Sequence, residues 1–122
     1  MGKTVMVVDD SASLRQVVSI ALKGAGYDVI EACDGKDGLS KLNGQRVHLI
    51  ISDVNMPNMD GITFVKELKK LPATKFTPVI MLTTESQEGK KQEGQAAGAK
   101  AWVVKPFQPS QMLEAVSKLV LP

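Results

Sequence analysis

The sequence predicts an α/β fold, a doubly wound sheet of five parallel strands with helices on both faces. Five short apolar runs alternate with segments of helical periodicity. Three of the runs are near-continuous rather than alternating, as expected of strands covered on both sides. The connections are short, which suits consecutive βα units packed onto one sheet.

The elements follow in order. Val5-Met6-Val7-Val8 reads as the first strand. Leu14, Val17, Val18, Ala21, Leu22 and Ala25 then keep helical spacing, with Ser13 and Gln16 as a capping-box pair and Gly26 as the stop. Val29-Ile30 is the second strand, and Cys33 is read as packing with it. The second helix has only Leu39 and Leu42 as anchors and carries Gly35 and Gly38. Leu49-Ile50-Ile51 is the third strand; His48 before it has no partner pattern and is assigned to the surface. Phe64, Val65 and Leu68 anchor the third helix, whose solvated face and following loop take Lys66, Lys69, Lys70 and Lys75. Met56, Pro57 and Met59 shape the loop before it. Val79-Ile80-Met81-Leu82 is the fourth strand. The fourth helix, about Gln87 to Ala97, contains Gly89 and Gly94 and almost no large apolar residue. Each interior glycine costs about 1 kcal/mol against alanine, so this helix should be held loosely. Trp102-Val103-Val104 is the fifth strand, and Met112, Leu113, Val116, Leu119 and Val120 mark a fifth helix with Pro109 in its first turn.

The 122 residues suffice for one core and are expected to form one domain without a separate output domain. With 43% hydrophobic and 23% charged residues, the composition is that of an ordinary soluble protein. A net charge of +2 is too small to imply nucleic acid or a membrane surface as partner. No run approaches the ~18 apolar residues of a membrane span, and the start lacks the apolar stretch of a signal peptide. Cys33 is the single cysteine, which precludes an internal disulfide and fits a reducing cytoplasm.

Asp9 and Asp10 end the first run, Asp53 the third, Thr83 the fourth and Lys105 the fifth. In a parallel sheet all five side chains meet at the carboxyl edge, where open α/β sheets bind ligands. Singly, each has a bland reading: a turn aspartate, a β-branched strand filler, an ordinary strand exit. Together they argue for function. Carboxylates ~4 Å apart repel by about 4 kcal/mol per pair at an effective dielectric of 20. A hard cation such as Mg²⁺ relieves that repulsion through oxygen ligands. With the cation in place, one carboxylate can attack phosphorus as a nucleophile. Lys105 can then pair with one phosphoryl oxygen, and Thr83 can hydrogen-bond another.

These residues, with the segment Asp53-Val54-Asn55-Met56-Pro57-Asn58-Met59-Asp60-Gly61 and Lys105-Pro106-Phe107, resemble the response-regulator receiver family along the whole chain, most of all its stand-alone chemotaxis members. The resemblance implies a flavodoxin-like strand order 2-1-3-4-5. It implies Asp53 as phosphoacceptor and Mg²⁺ ligated by Asp10, Asp53 and the backbone carbonyl of Asn55, with Asp9 acting through water. Thr83 and Lys105 would hold the phosphoryl group, and Asn55 and Glu85 would tune its lifetime. The Lys105–Pro106 peptide bond is expected to be cis. Trp102 falls at the family's aromatic switch position, usually Tyr or Phe, and its larger ring is a departure from that pattern. A partner face on the fourth helix, fifth strand and fifth helix is expected, where Lys90, Lys91, Lys100 and Lys118 can meet an acidic partner or serve as a solvated face.

The implied function is that of a cytoplasmic, monomeric signalling module, not an enzyme acting on a separate substrate. A chemotaxis-type histidine kinase phosphorylates it, a flagellar motor switch protein or another protein target binds it, and a phosphatase is a further possible partner. Within the class, a phosphate sink or a non-motility adaptor uses the same site. A small Mg²⁺-dependent phosphatase with an aspartate nucleophile is an alternative from another class, although Asn55 stands where a second acid is expected. A flavin carrier would need a glycine- and hydroxyl-rich phosphate loop where Asp9-Asp10 stands.

Overall fold

Aliphatic strands that can bury both faces need helices on either side, and the chain supplies them. A computed structural model of the protein describes residues 3–42, 46–54, 56, 58–84, 93, 95–105 and 108–120. Strands β1 (Thr4–Val8), β2 (Asp28–Ala32), β3 (Leu49–Asp53), β4 (Val79–Thr84) and β5 (Ala101–Lys105) form one parallel sheet in the order β2-β1-β3-β4-β5. The described helices are α1 (Ala12–Gly24), α2 (Gly35–Lys41), α3 (Gly61–Lys70) and a last helix, Pro109–Leu119. Residues 93 and 95–97 are helical within the predicted fourth helix. The other residues predicted for it, together with Lys90, Lys91, Pro57 and the Lys105–Pro106 bond, lie outside the described residues.

Strand parity divides the core in two. Met6, Val8, Ile50, Val79 and Met81 pack with Phe64, Val65 and Leu68 of α3 on one face. Val5, Val7, Leu49, Ile51, Ile80 and Leu82 pack with Val18 and Leu22 of α1 and with Met112 and Val116 of the last helix on the other. Register then levels the carboxyl ends. Val8 pairs with Ser52, so Asp9 and Asp53 each stand one residue further along. Asp53 in turn pairs with Leu82, and Thr83 with Val104, which carries the same edge out to Lys105.

The weak second helix has a packing explanation. A Cβ on Gly38 would lie 3.0 Å from Phe64 Cζ, so glycine lets α2 approach α3 closely. The helix is capped by Asp34, whose carboxylate accepts from the Asp37 amide at 2.8 Å. Met56 and Met59, in the loop after β3, pack against the same core.

Several local expectations are corrected. The N-cap of α1 is Ser11, not Ser13: its hydroxyl accepts from the Leu14 amide at 3.3 Å. Val17 is 49% exposed, because Val18 and Leu22 alone of the predicted large apolar positions turn fully onto the sheet. Cys33 does not pack with β2; the strand ends at Ala32 and the thiol is exposed. His48 has a partner after all, accepting at Nδ1 from the Thr4 amide at 3.0 Å. Lys69 is not a solvated lysine either, since its ammonium donates to the Thr77 carbonyl at 2.8 Å.

Gly61, the first residue of α3, ties fold to site. Its amide donates to the Val54 carbonyl at 2.8 Å, and a Cβ there would overlap the Asp53 carbonyl oxygen. The obstacle is backbone at the end of a central strand, so it cannot rotate away. Gly61→Ala is therefore expected to destabilise the protein by about 1–3 kcal/mol, the usual range for overpacking. Urea unfolding measures this; a midpoint equal to wild type would show that β3 yields without penalty.

Candidate functional site

Asp9 leaves β1 and turns the chain toward α1. Its amide donates to the Ala32 carbonyl of β2 at 3.1 Å, and its Oδ1 accepts from the Ser11 amide at 2.9 Å. Asp9 is 1% exposed, and among the described residues its Oδ2 has no hydrogen-bond partner. That oxygen lies 3.7 Å from Lys105 Nζ. Asp53 is buried at the end of β3, with Oδ1 accepting from the Val54 amide at 2.9 Å and from Lys105 Nζ at 3.0 Å. Asp10 is exposed at the mouth of the site. Thr83 is buried on β4, and Lys105 reaches in from the end of β5 with a side chain only 23% exposed.

One ligand oxygen from each of Asp9, Asp10 and Asp53 lies within 4.8 Å of the others. Burial pushes the Asp9 carboxyl above the ordinary aspartate range; the Ser11 amide opposes that rise, the Asp53 charge adds to it, and Lys105 opposes it. With its carboxylates ionised, the cluster carries −3, and Lys105 brings it to −2. Hard oxygen donors with a net charge of −2 and one unsatisfied buried oxygen fit a hard divalent cation. Beside it, an ammonium and a threonine hydroxyl suit an anion with several oxygens.

The structure thus brings Asp9, Asp10, Asp53 and Lys105 together, and strand register places Thr83 at the same edge. Asn55 and Glu85 lie outside the described residues. Trp102 is partly buried on β5, where it packs on the α3 face of the sheet, and its Nε1 has no hydrogen-bond partner among the described residues. It is cross-strand to Met81, which makes it a diagonal neighbour of Thr83.

Several supporting residues escaped the sequence reading. Arg15 donates from Nη1 to the Asp9 carbonyl at 2.6 Å and from Nε to Glu31 Oε1 at 3.1 Å. No sequence signal marks it, because the contact exists only once α1 folds back beside β1. Asn58 holds φ 67 and donates to Asp34 Oδ2 at 2.8 Å, joining the loop after β3 to the cap of α2. Asp60 caps α3 by accepting from the Thr63 amide at 2.7 Å. Here the signals were present: asparagine tolerates the left-handed region, and aspartate before Gly61 is a natural N-cap.

Comparison with known proteins bears on the whole chain. Residues 5–117 match the family model of the response regulator receiver domain. The chain is 37% identical over 120 residues to the chemotaxis protein CheY of Thermotoga maritima, covering 98% of each protein. It is 34% identical to the phosphate regulon transcriptional regulatory protein PhoB of Pseudomonas aeruginosa, covering 93% of this chain but 49% of that protein. The solved chemotaxis response regulator CheY4 of Vibrio cholerae is 49% identical and superposes with a TM-score of 0.92 over 98% of this chain and 99% of that one. A match that runs from β1 into the last helix, on a fold shared nearly residue for residue, makes this chain a member of the response-regulator receiver family, the phosphoacceptor domains of two-component signalling.

Proposed function

We propose that Asp53 accepts a phosphoryl group from a histidine kinase and that the new charge changes which protein the domain binds. The observation that supports this most is the pairing of Asp53 with Lys105 Nζ at 3.0 Å inside an acidic cluster that can hold a divalent cation. The Val54 amide and Lys105 both engage Asp53 Oδ1, which fixes the carboxylate plane. Transfer forms a P–O bond to an Asp53 carboxylate oxygen as the P–N bond to the donor imidazole breaks, and the electron pair returns to that nitrogen. Lys105 then exchanges its bond to Asp53 for one to a phosphoryl oxygen, and the Thr83 hydroxyl donates to another. Asp10, Asp53 and the Asn55 backbone carbonyl would ligate Mg²⁺, with Asp9 acting through water; bound Mg²⁺ supplies neutralisation of the carboxylate and phosphoryl charges. Asn55 and Glu85 set how long the acyl phosphate survives water.

For the output, the reading is a chemotaxis-type partner, with a flagellar motor switch protein the leading target. Its support is the end-to-end likeness to chemotaxis proteins of T. maritima and V. cholerae, whereas the likeness to PhoB covers half of that regulator. The domain acts in the cytoplasm as a monomer; among the described residues no helix is long and apolar enough to cross a membrane. A phosphodonor assay distinguishes the alternatives: one phosphoryl group retained per chain supports a receiver, and sustained turnover of many phosphate esters would place the chain among phosphatases.

Asp53→Ala is expected to abolish phosphorylation by kinase or by a small donor. Phosphate found by mass spectrometry on Asp9, Asp10 or a hydroxyl of that variant would reassign the acceptor.

Metal-free stability should carry the mark of Asp9. Its raised carboxyl pKa means that the folded state binds a proton more readily than the unfolded chain. The stabilisation is complete below the unfolded value, ~3.9, and is lost as pH rises through the folded value. Asp9→Asn should therefore melt above wild type at neutral pH without metal, and the gap should close on acidification. Saturating Mg²⁺ should stabilise wild type more than the variant. A variant less stable than wild type in metal-free neutral buffer would show that repulsion is not the dominant effect.

Trp102 should report phosphorylation. Beryllofluoride, which stands in for the phosphoryl group, is expected to shift tryptophan emission in Mg²⁺-saturated wild type and not in Thr83→Ala. Unchanged emission, with unchanged amide shifts between Thr84 and Lys118, would remove the proposed coupling.

A further inference from the structure

Asp9 and Asp10 share a peptide bond, and that bond is held by residues outside the acidic cluster. Its carbonyl accepts from Arg15 Nη1 at 2.6 Å. On the preceding side the Asp9 amide is bound to Ala32, and the Asp9 carboxylate is bound to the Ser11 amide. Arg15 is thus the one side chain among these three restraints. Its guanidinium is itself oriented by Glu31 at 3.1 Å and is mostly covered, with 19% of the side chain exposed.

We propose that Arg15, oriented by Glu31, is a positioning residue for the divalent-cation site: it fixes the Asp9–Asp10 peptide so that both carboxylates converge on Asp53. The inference rests on the reading above, in which Asp9, Asp10 and Asp53 together hold Mg²⁺. Planar geometry explains the choice of residue. Two donors on one rigid fork reach a carbonyl and a carboxylate together, which a lysine ammonium on a flexible stem does not reproduce.

Charge and geometry predict opposite signs here, which makes the role testable. A cation bound to the Asp9 carbonyl opposes a second cation at the cluster, so by charge alone removing Arg15 would tighten Mg²⁺ binding. Glu31 offsets much of that charge and leaves the hydrogen bond to Asp9 as the main contribution. If Arg15 only fastened α1 to β2, its loss would lower stability and leave metal affinity where it was.

The test is a calorimetric Mg²⁺ titration of wild type, Arg15→Ala, Arg15→Lys and Glu31→Gln, with urea melts of the metal-free proteins alongside. Arg15→Ala is expected to weaken Mg²⁺ binding about 10-fold, as loss of a residue that orients metal ligands commonly does. Arg15→Lys should recover part of the affinity, and Glu31→Gln should weaken binding less than Arg15→Ala. Should Arg15→Ala fail to fold, Arg15→Lys and Glu31→Gln carry the test, both expected to bind Mg²⁺ more weakly than wild type. Folded Arg15 variants that bind Mg²⁺ as well as or better than wild type would overturn the positioning role alone. A wild-type protein that binds no Mg²⁺ would overturn the assignment of the acidic cluster itself.

Discussion

The repulsion among Asp9, Asp10 and Asp53 is the constraint around which the rest of this molecule is organised. Three carboxylates with ligand atoms inside 4.8 Å, two of them buried, are held against their own electrostatics. Lys105 offsets one charge and leaves the cluster at −2 when its carboxylates are ionised. Holding such a group requires rigid surroundings, and the fold provides them. Asp53 ends a strand whose five residues are all buried, and Asp9 follows a strand buried from Val5 to Val8. Backbone amides of Ser11 and Val54 meet the carboxylates directly. Repulsion in the metal-free cluster is what would make it responsive under the proposed reading, because a divalent cation or an altered Asp53 changes that repulsion directly.

Around that cluster, small devices control where the chain turns. Gly61 passes over the end of β3 without a side chain, so α3 can start directly behind Asp53. Asn58 takes the left-handed conformation that lets the loop return, and its amide ties the loop to the cap of α2. The acidic cluster at the edge is therefore supported largely by backbone donors and turn residues on rigid elements, which is how loops at a sheet edge come to carry function.

Much of this was legible from the residues. Strands buried on both faces are apolar in near-continuous runs, so β1, β3 and β4 declare themselves, and a polar residue just past each run, Asp9, Asp53 or Thr83, is delivered to the edge, with Ser52 the one polar residue buried before it in β3. What was not legible depended on choices a few residues wide or on partners far along the chain. Ser11 and Ser13 are both good caps, and the chain uses Ser11 because Asp9 captures its amide and forces the entry two residues early. Cys33 lies one residue past a strand whose length the pattern left undefined. His48 and Arg15 look unremarkable alone; their bonds to Thr4 and Asp9 exist only after the sheet has formed and α1 has folded back.

Strand parity also separates the charged cluster from Trp102. Asp9, Asp53 and Lys105 continue the parity of Val7, Ile51 and Val103, the side covered by α1 and the last helix. Thr83 continues the parity of Met81, the side on which Trp102 packs. Of the three edge residues that lie within strands, Asp53, Thr83 and Lys105, Thr83 is thus the one that stands at the edge by position and belongs to the opposite core by parity. In the proposed reading, a change at Asp53 reaches the α3 face through a shift of Thr83 at the end of β4, with Trp102 as its diagonal neighbour. Among the described residues the Trp102 indole nitrogen has no hydrogen-bond partner, and what holds the ring there is packing on the α3 face. In the reading proposed above, a ring held by packing moves when the space beside it changes, and the space beside Trp102 is bounded by Thr83, the residue proposed to answer to a phosphoryl group on Asp53.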